Sequence, residues 1–363
     1  MRHKGIVCLL SIAALFVGGC AVRCDFSPDG RRLLVPTDAG LRMVATAGGS
    51  STLIPGTKGS LGGFWSPNGR RVAYSVQDGP NLGVWVYDVD QRRARRIVAA
   101  KAFPAAWRDD GALAAVLNLS GAGALEAYDA LDGSLAFSYE LPGKPEGLMD
   151  VTWVPGANNL LALVSVDDKS DLTLFEAGEV VSLTSTGDVL GYRLMPDGHV
   201  RWVRRAKDPR FVLISTYQQT LAQRFAGKLT QVERAAAINP GQSRAPRKVV
   251  YAALSPDGSR IALLATVARP DAKGSPHEVA VVYCLTADGK ASALLTAPDE
   301  KAADAWAPTW SPDGRWVCVT AESALGQRAL LISPDGKTRK LAAQVAPPRP
   351  AAPPAPSPRK KRS

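Results

Sequence analysis

The sequence predicts an all-β fold, a seven-bladed β-propeller of four-stranded antiparallel blades, with six or eight blades as the alternative counts. Three observations lead to it. One short phrase, an aromatic residue followed by Ser-Pro-Asp-Gly and an apolar run, recurs along the chain. Its copies follow one another at a spacing that suits a four-stranded unit, and a second hairpin pattern recurs between them. Repeats of this length are typical of propellers and solenoids.

The phrase encodes the corner of a hairpin. Pro presets the backbone for the second position of a turn, Asp is accepted at the third, and Gly closes the turn at positive φ. The residues after it alternate between branched or aromatic and polar side chains, as β-strands do. The four clearest copies are FSPDGRRLLV, WSPNGRRVAYS, LSPDGSRIALL and WSPDGRWVCVT, with the turn residues Pro28, Asp29, Gly30, Pro67, Asn68, Gly69, Pro256, Asp257, Gly258, Pro312, Asp313 and Gly314.

Three weaker copies bring the total to seven: Trp107–Gly111, Trp153–Asn159 and Leu194–Gly198. Measured at the Ser-equivalent positions, the spacings are 39, 42, 46, 41, 60 and 56 residues. The two long spacings predict longer loops in the fifth and sixth units, Lys207–Arg247 and Ala268–Glu278. Since insertions on a regular scaffold often carry function, these loops are the expected recognition surface.

The second hairpin makes each unit a four-stranded sheet. It is clearest at Val84–Val89 with Arg95–Val98 and at Ala280–Leu285 with Ser292–Leu295. A small sheet with two apolar faces needs neighbours on both sides, and a closed ring supplies them. The large side chain before each turn is expected to pack between adjacent blades: Phe26, Trp65, Trp107, Trp153, Tyr192, Leu254 and Trp310.

The repeated phrase closely resembles the repeat of TolB-like β-propellers, the WD40-like or PD40 repeat, over the chain from Phe26 to Leu341. The resemblance implies the propeller fold. It implies little about activity, because the family includes periplasmic scaffolds, lipoproteins and the propeller portions of peptidases and lyases. No segment here matches the α/β domain that precedes the TolB propeller, so partner contacts through that domain are not expected.

The first residues predict export and lipid attachment. A basic start, an apolar stretch too short to cross a bilayer and Val17-Gly18-Gly19-Cys20 form a signal peptide over residues 1–19. The site resembles the lipobox of bacterial lipoproteins, in which the Cys becomes acylated after cleavage; the alternative is an ordinary signal peptide. Cys20 is therefore the expected anchor in the cell envelope. In a Gram-negative host, Ala21 favours the outer membrane, facing the periplasm.

The propeller is predicted over residues 20–344, followed by a disordered Pro/Ala-rich tail over 345–363. The formal net charge is +11, and five of the basic residues lie in the tail, four of them as the cluster Arg359, Lys360, Lys361 and Arg362. Export excludes nucleic acid as a natural partner, so the cluster is expected to bind anionic lipid or a cell-envelope polymer, or only to aid solubility. The oligomeric state is not predicted.

Three cysteines follow Cys20. Cys24 is assigned to blade 1 and Cys318 to blade 7, so a disulfide between them would lock the seam of a closed ring. Buried free thiols are the alternative for this pair and for Cys284.

No catalytic residue, metal site or cofactor is predicted. His199 and His277 read as surface residues, and the chain has neither an HExxH motif nor a Gly-x-Ser-x-Gly elbow. The acid pairs Asp109-Asp110, Asp167-Asp168 and Asp299-Glu300 are expected to be solvated turn residues.

The sequence thus favours a lipid-anchored, extracytoplasmic binding or scaffolding module without enzymatic activity. A hydrolase or lyase acting on carbohydrate or peptide is the alternative, and it requires carboxylates that converge in the central channel. A structural lipoprotein that contacts the cell wall through its tail is a third hypothesis.

Overall fold

A computed structural model describes residues 23–346 except 61, 78, 119, 121–122, 142–146, 168, 177, 227–228, 239–245, 271–273, 298–299, 303–306 and 324–325. The described chain forms seven antiparallel sheets, each built from consecutive strands. The predicted all-β, seven-bladed propeller is confirmed. Each repeat of the sequence supplies one blade.

Blades 1 to 4 comprise β1 Asp25–Phe26, β2 Arg32–Thr37, β3 Gly40–Ala45 and β4 Ser51–Leu53; β5 Gly63–Trp65, β6 Arg71–Val76, β7 Gly83–Asp88 and β8 Arg93–Val98; β9 Ala102–Trp107, β10 Leu113–Asn118, β11 Ala124–Asp129 and β12 Leu135–Glu140; β13 Gly147–Trp153, β14 Leu160–Val166, β15 Lys169–Glu176 and β16 Glu179–Ser182.

Blades 5 to 7 comprise β17 Val189–Leu194, β18 Val200–Arg205, β19 Phe211–Tyr217 and β20 Gln231–Ala237; β21 Lys248–Leu254, β22 Arg260–Pro270, β23 Pro276–Thr286 and β24 Ser292–Leu294; β25 Lys301–Ala302, β26 Thr309–Trp310, β27 Val317–Ser323, β28 Gly326–Ile332 and β29 Arg339–Ala346. A 3-10 helix, Leu221–Ala226, connects β19 to β20. In blade 7 both β25 and β26 pair with β27.

The ring closes without strand exchange between the described ends of the chain. The first strands of successive blades lie side by side, and β1 of blade 1 contacts both β5 of blade 2 and β26 of blade 7. At the outside of the seam, β29 packs on β2 and β3. Blades 1 and 7 are therefore held together by side-chain packing.

The core lies between the blades, where the large side chain before each turn packs as predicted. Trp153 of blade 4 meets Phe137 of blade 3 edge to face, with ring centroids 5.7 Å apart. Trp107 donates its indole N–H to the carbonyl of Phe64 in the preceding blade at 2.9 Å. Trp310 does the same to Ala253 at 2.8 Å. These side chains bury large areas and also connect the inner strands of neighbouring blades.

The repeated turns form one face of the ring, which we call the turn face. In each strong copy the Ser hydroxyl donates to the Asp or Asn carbonyl oxygen two residues on, as Ser27 does to Asp29 at 2.6 Å. A methyl group on Gly30, with φ of 69°, would lie 3.7 Å from Cδ of Pro312 in blade 7. The same contact joins blades 1 and 2 and blades 6 and 7, so proline-on-glycine packing runs across the seam.

The opposite face, which we call the hairpin face, carries the turns between the second and third strands of each blade. Because the strands are antiparallel, the first strand of a blade begins at this face and the fourth strand ends there. Both described ends of the chain, Arg23 before β1 and Ala346 at the end of β29, therefore lie at the hairpin face.

The two predicted long loops are wrong in kind. Residues 207–247 contain β19 and β20, and β20 lacked a strand signature because its polar side chains, as in QVERAAA, are largely exposed. Residues 268–278 end β22 and begin β23, which pair as far as Pro270 opposite Pro276. These two strands have 11 residues each, whereas the second and third strands of the other blades have six to eight. The insertion lengthens a hairpin.

Two further points concern the ends of the fold. The last strand runs to Ala346 and so includes the first two residues assigned to the tail. Among the described residues, no helix has the length and apolar character needed to cross a membrane.

Candidate functional site: the central channel

The candidate site is a cavity of about 280 Å³ in the channel of the ring. Its walls are the first strands of blades 1, 4, 5, 6 and 7, together with the residues next to them. Most of these strands are apolar, so the charged residues among them stand out. The polar lining residues are Arg23, Asp25, Asp150, Thr152, Tyr192, Arg193, Tyr251 and Thr309.

A β-bulge shapes the inner strand in three neighbouring blades. In β13, β17 and β21 the pairing with the second strand skips one residue immediately before Asp150, Gly191 and Tyr251. A bulge bends its strand and redirects the following side chain. Asp150 and Tyr251 point into the channel. At Gly191 a Cβ atom would lie 1.8 Å from the carbonyl oxygen of Ala252, so only glycine permits this approach of blades 5 and 6.

Asp150 is the centre of a network that joins three blades. Its Oδ1 accepts from Nη1 of Arg23 at 2.8 Å, and its Oδ2 accepts from the hydroxyl of Tyr251 at 2.8 Å. The Arg23 guanidinium also lies over the Phe64 ring, 4.3 Å from its centroid. Burial, together with the neighbouring Asp150 charge, raises the pKa of Tyr251 well above its ordinary value, so its hydroxyl stays a donor. Both oxygens of Asp150 are thus engaged.

Asp25 is a second acid in the cavity, with fewer partners. Its Oδ2 accepts from the backbone N–H of Trp65 at 2.9 Å. Desolvation in the channel raises the pKa of Asp25 to about 6, although the positive charge of Arg23 and the N–H of Trp65 act in the opposite direction. Asp25 can therefore change its charge under mildly acidic conditions.

Arg193 is a half-buried cation that faces no acid at ion-pair distance among the described residues. Its Nη1 donates to the carbonyl of Leu254 at 3.3 Å, and its Nε is buried without a hydrogen-bond partner in the described structure. Desolvation lowers the pKa of this guanidinium. The hydroxyl of Thr309, which lines the same cavity, is buried and also has no described partner. The cavity thus has unused hydrogen-bonding capacity.

The residues singled out from the sequence lie elsewhere. Cys20 and the basic cluster 359–362 are outside the described residues. The twelve turn residues lie at the turn face, away from the cavity. His199 lies beside Asp197, with 3.1 Å between Nδ1 and the carboxylate, and His277 lies exposed in β23 rather than in a loop.

Cys24 and Cys318 lie side by side in the packed seam of blades 1 and 7, and both thiols are free. A hydrogen bond with Cys24, together with burial, raises the pKa of Cys318 well above its ordinary value. Cys284 is buried and free in the interface of blades 6 and 7. A disulfide between Cys24 and Cys318 stays a prediction.

One expectation about the acids is wrong. Glu300 is only 5% exposed and pairs with Arg328 at 2.9 Å and with Arg339. It binds the inner and outer strands of blade 7 together, because a buried carboxylate needs cationic partners. Asp109, Asp110 and Asp167 lie in turns as expected. In the described part of the chain, no cluster of His, Cys, Asp and Glu has an arrangement that would hold a metal ion.

The sequence reasoning missed the channel residues. One signal was available: Asp150 and Tyr251 each lie three residues before the large residue that precedes a turn, Trp153 and Leu254. A charged or phenolic side chain at that position of an inner strand points to the channel.

Comparisons with known proteins agree with the fold. No family model matches the chain, and no curated protein matches its sequence. A solved chain titled "The beta-propeller domain of the Trilobed protease from Pyrococcus furiosus reveals an open velcro topology" is similar, with 10% identity and a TM-score of 0.53 over 89% of this chain and 97% of that one. A chain of the "Crystal Structure of Mitotic Checkpoint Complex" gives 15% identity and a TM-score of 0.54, covering 84% of each chain. TolB from Acinetobacter baumannii gives 18% identity and a TM-score of 0.47 over 76% of this chain and 64% of that one.

These likenesses and the sheet topology together define the class of the protein. It is a seven-bladed β-propeller with a polar cavity in its channel. The resemblance to TolB-like propellers, read from the repeated phrase, agrees with the structure at the level of the fold.

Proposed function

We propose that this chain is a lipid-anchored, extracytoplasmic binding module that holds a protein or a cell-envelope polymer on the turn face of its propeller. One observation carries the proposal. Both described ends of the chain lie at the hairpin face, and the turn face carries neither end. An anchor at the N-terminal side therefore leaves the turn face free.

The distance from the anchor supports this orientation. Cys20 precedes Arg23 by three residues, and an extended chain of that length spans at most about 11 Å. The basic tail leaves the fold from the same face, after Ala346. A lipid chain combined with a basic cluster is a two-signal membrane attachment. The hairpin face then lies toward the membrane and the turn face points away from it.

The character of the turn face also suits a platform. Its turns are cross-linked by the proline-on-glycine contacts, and its charged side chains, such as Arg108 with Asp110 at 2.6 Å, are of both signs. A rigid surface loses little conformational entropy when a partner binds. Among the solved structures with similar folds, one chain belongs to a multi-protein complex.

Site-specific photo-crosslinking in intact cell envelopes tests the orientation and the binding face. A photoreactive amino acid replaces Asn158 or Arg315, both exposed at the turn face, or His277 or Glu278, both exposed at the hairpin face. We expect a reproducible partner band from the first two positions only. Crosslinks from the hairpin positions alone, or none from any position, would contradict the proposal. Cys20→Ser is the matched anchor variant, and we expect it to leave the membrane fraction while retaining its fold.

An enzyme is the second candidate, because the cavity does contain two carboxylates, Asp25 and Asp150. A hydrolase or lyase acting on carbohydrate or peptide would use Asp25 as its acid or base, since its pKa is raised to about 6. Asp150 is engaged by Arg23 and Tyr251, which favours a structural role for it. Incubation of the chain and its Asp25→Asn variant with oligosaccharide and peptide libraries separates the two candidates: turnover lost in Asp25→Asn supports the enzyme, and no turnover supports the binding module.

A further inference from the structure

The channel cavity has a balance of charge that depends on a single acid. The charged and titratable groups facing Asp25 are Arg23, Asp150, Tyr192, Arg193 and Tyr251. Both arginines are cations, both tyrosine hydroxyls are held neutral by burial, and the Asp150 carboxylate is paired with Arg23. The cavity therefore carries one net positive charge when Asp25 is protonated and none when Asp25 is ionised.

The unmatched charge belongs to Arg193. A partly buried guanidinium without an acid at ion-pair distance has given up hydration that nothing in the described protein replaces. Its planar donors fit the two oxygens of a carboxylate. The hydroxyl of Thr309 also has no described partner, and a hydroxyl can rotate to meet an acceptor.

The size and polarity of the cavity limit the ligand. A volume of about 280 Å³ lies at the lower end of the range for small-molecule pockets. One net positive charge favours a monoanion, whereas the carboxylate of Asp150 repels a dianion such as sulfate. Asp25, Tyr192 and Tyr251 offer polar atoms to the remainder of the ligand, and Trp310 offers an apolar wall.

We propose that the channel cavity is a binding site for a small monocarboxylate, whose carboxylate lies against Arg193 and Thr309 and whose other polar atoms reach Asp25. The site is separate from the turn face, so it does not depend on the scaffold role. Binding tightens as the solution becomes more acidic, because protonation of Asp25 removes a negative charge from the cavity.

Ligand-observed NMR on the purified full chain tests this inference. The probes are acetate, lactate and gluconate as monocarboxylates, with sulfate as a dianion and glycerol as a neutral polyol. We expect the monocarboxylates to bind several-fold more tightly at pH 5 than at pH 7.5, and more tightly than sulfate or glycerol. No monocarboxylate binding at pH 5, or stronger binding of sulfate, would overturn the proposal.

Three variants assign the binding to the cavity. Asp25→Asn keeps an acceptor for the Trp65 N–H and fixes the cavity at one positive charge, so binding at pH 7.5 should match the wild-type value at pH 5. This gain of affinity is a result that partial unfolding does not produce. Arg193→Gln should lose at least about tenfold in affinity. The control Arg70→Gln, at an exposed turn residue, should bind as the wild type does. Equal affinity in Arg193→Gln and wild type would sink the assignment.

Discussion

The turn face and the channel are built from adjoining residues of the same strands, yet they are held together in different ways. At the turn face the polar contacts are local, as between Ser27 and Asp29, and the same contact returns in each strong copy of the phrase. In the channel the contacts join distant parts of the chain, such as Arg23 with Asp150, 127 residues apart. The repeat builds the ring, and single departures from the repeat give the channel its chemistry.

The acids of the two regions show the same contrast. At the turn face, desolvation acts to raise the pKa of Asp257, but hydrogen bonds from Ser255 and Ser259 outweigh it and lower the pKa to about 2. In the channel, desolvation prevails and the pKa of Asp25 rises to about 6. The repeat stabilises the ionised acid, and the channel stabilises the protonated one.

The largest expected effect comes from closing the space that the inner bulge leaves. Gly191→Ala places a methyl group against the backbone carbonyl of Ala252, which cannot move without disturbing blade 6. We expect a loss of roughly 3 kcal/mol in the free energy of unfolding, at the upper end for overpacking. Urea unfolding followed by tryptophan fluorescence measures it. Gly62→Ala is the matched control, because its new Cβ would lie 3.4 Å from the nearest atom; equal losses in both variants would contradict the close approach.

The second prediction concerns the sign of the pH dependence in the channel. Because the pKa of Asp25 is about 6 in the fold and about 3.8 in the unfolded chain, the folded state binds its proton more tightly. This contribution, about 2 kcal/mol, is fully present below pH 3.8 and is lost as the pH rises through 6. Urea midpoints between pH 4.5 and 7.5 should therefore fall more in the wild type than in Asp25→Asn. Asp109→Asn, at an exposed turn, should keep the wild-type slope.

The third prediction has the opposite sign and applies to the turn face. The lowered pKa of Asp257 contributes stability above pH 3.8 that is lost as the pH falls through about 2. Since Asp257 is exposed, solvent screening limits the effect to about 1 kcal/mol. Asp257→Asn should be less stable than the wild type at pH 6 and equal to it near pH 2, as measured by urea unfolding. A difference that persists at the lower pH would point to lost packing instead.

The contrast explains what the sequence could and could not predict. The blade count, the turns and the packing of Trp65 or Trp153 follow from a pattern written seven times, so a single chain is evidence enough. The elongated β22–β23 hairpin was missed because Pro270 and Pro276 normally mark a loop, whereas here they pair at its tip, where fewer ladder hydrogen bonds are needed. The channel site was missed because Asp25, Asp150 and Arg193 come from three blades, and their meeting depends on how the ring closes.

The smallest expected effect sharpens the comparison within the turn face itself. Blade 2 has Asn68 where blade 1 has Asp29, and each accepts from its serine, at 2.8 Å in blade 2 and 2.6 Å in blade 1. A carboxylate is the stronger acceptor, and hydrogen bonds within the repeated turn act independently in each blade. We therefore expect Asn68→Asp to stabilise the fold by roughly 0.5 kcal/mol at pH 7 and Asp29→Asn to destabilise it by a similar amount. The double variant, measured by the same urea unfolding, should return to the wild-type value. Failure of the two changes to cancel would mean that the turns, linked by Pro28 packing on Gly69, respond to one another around the ring.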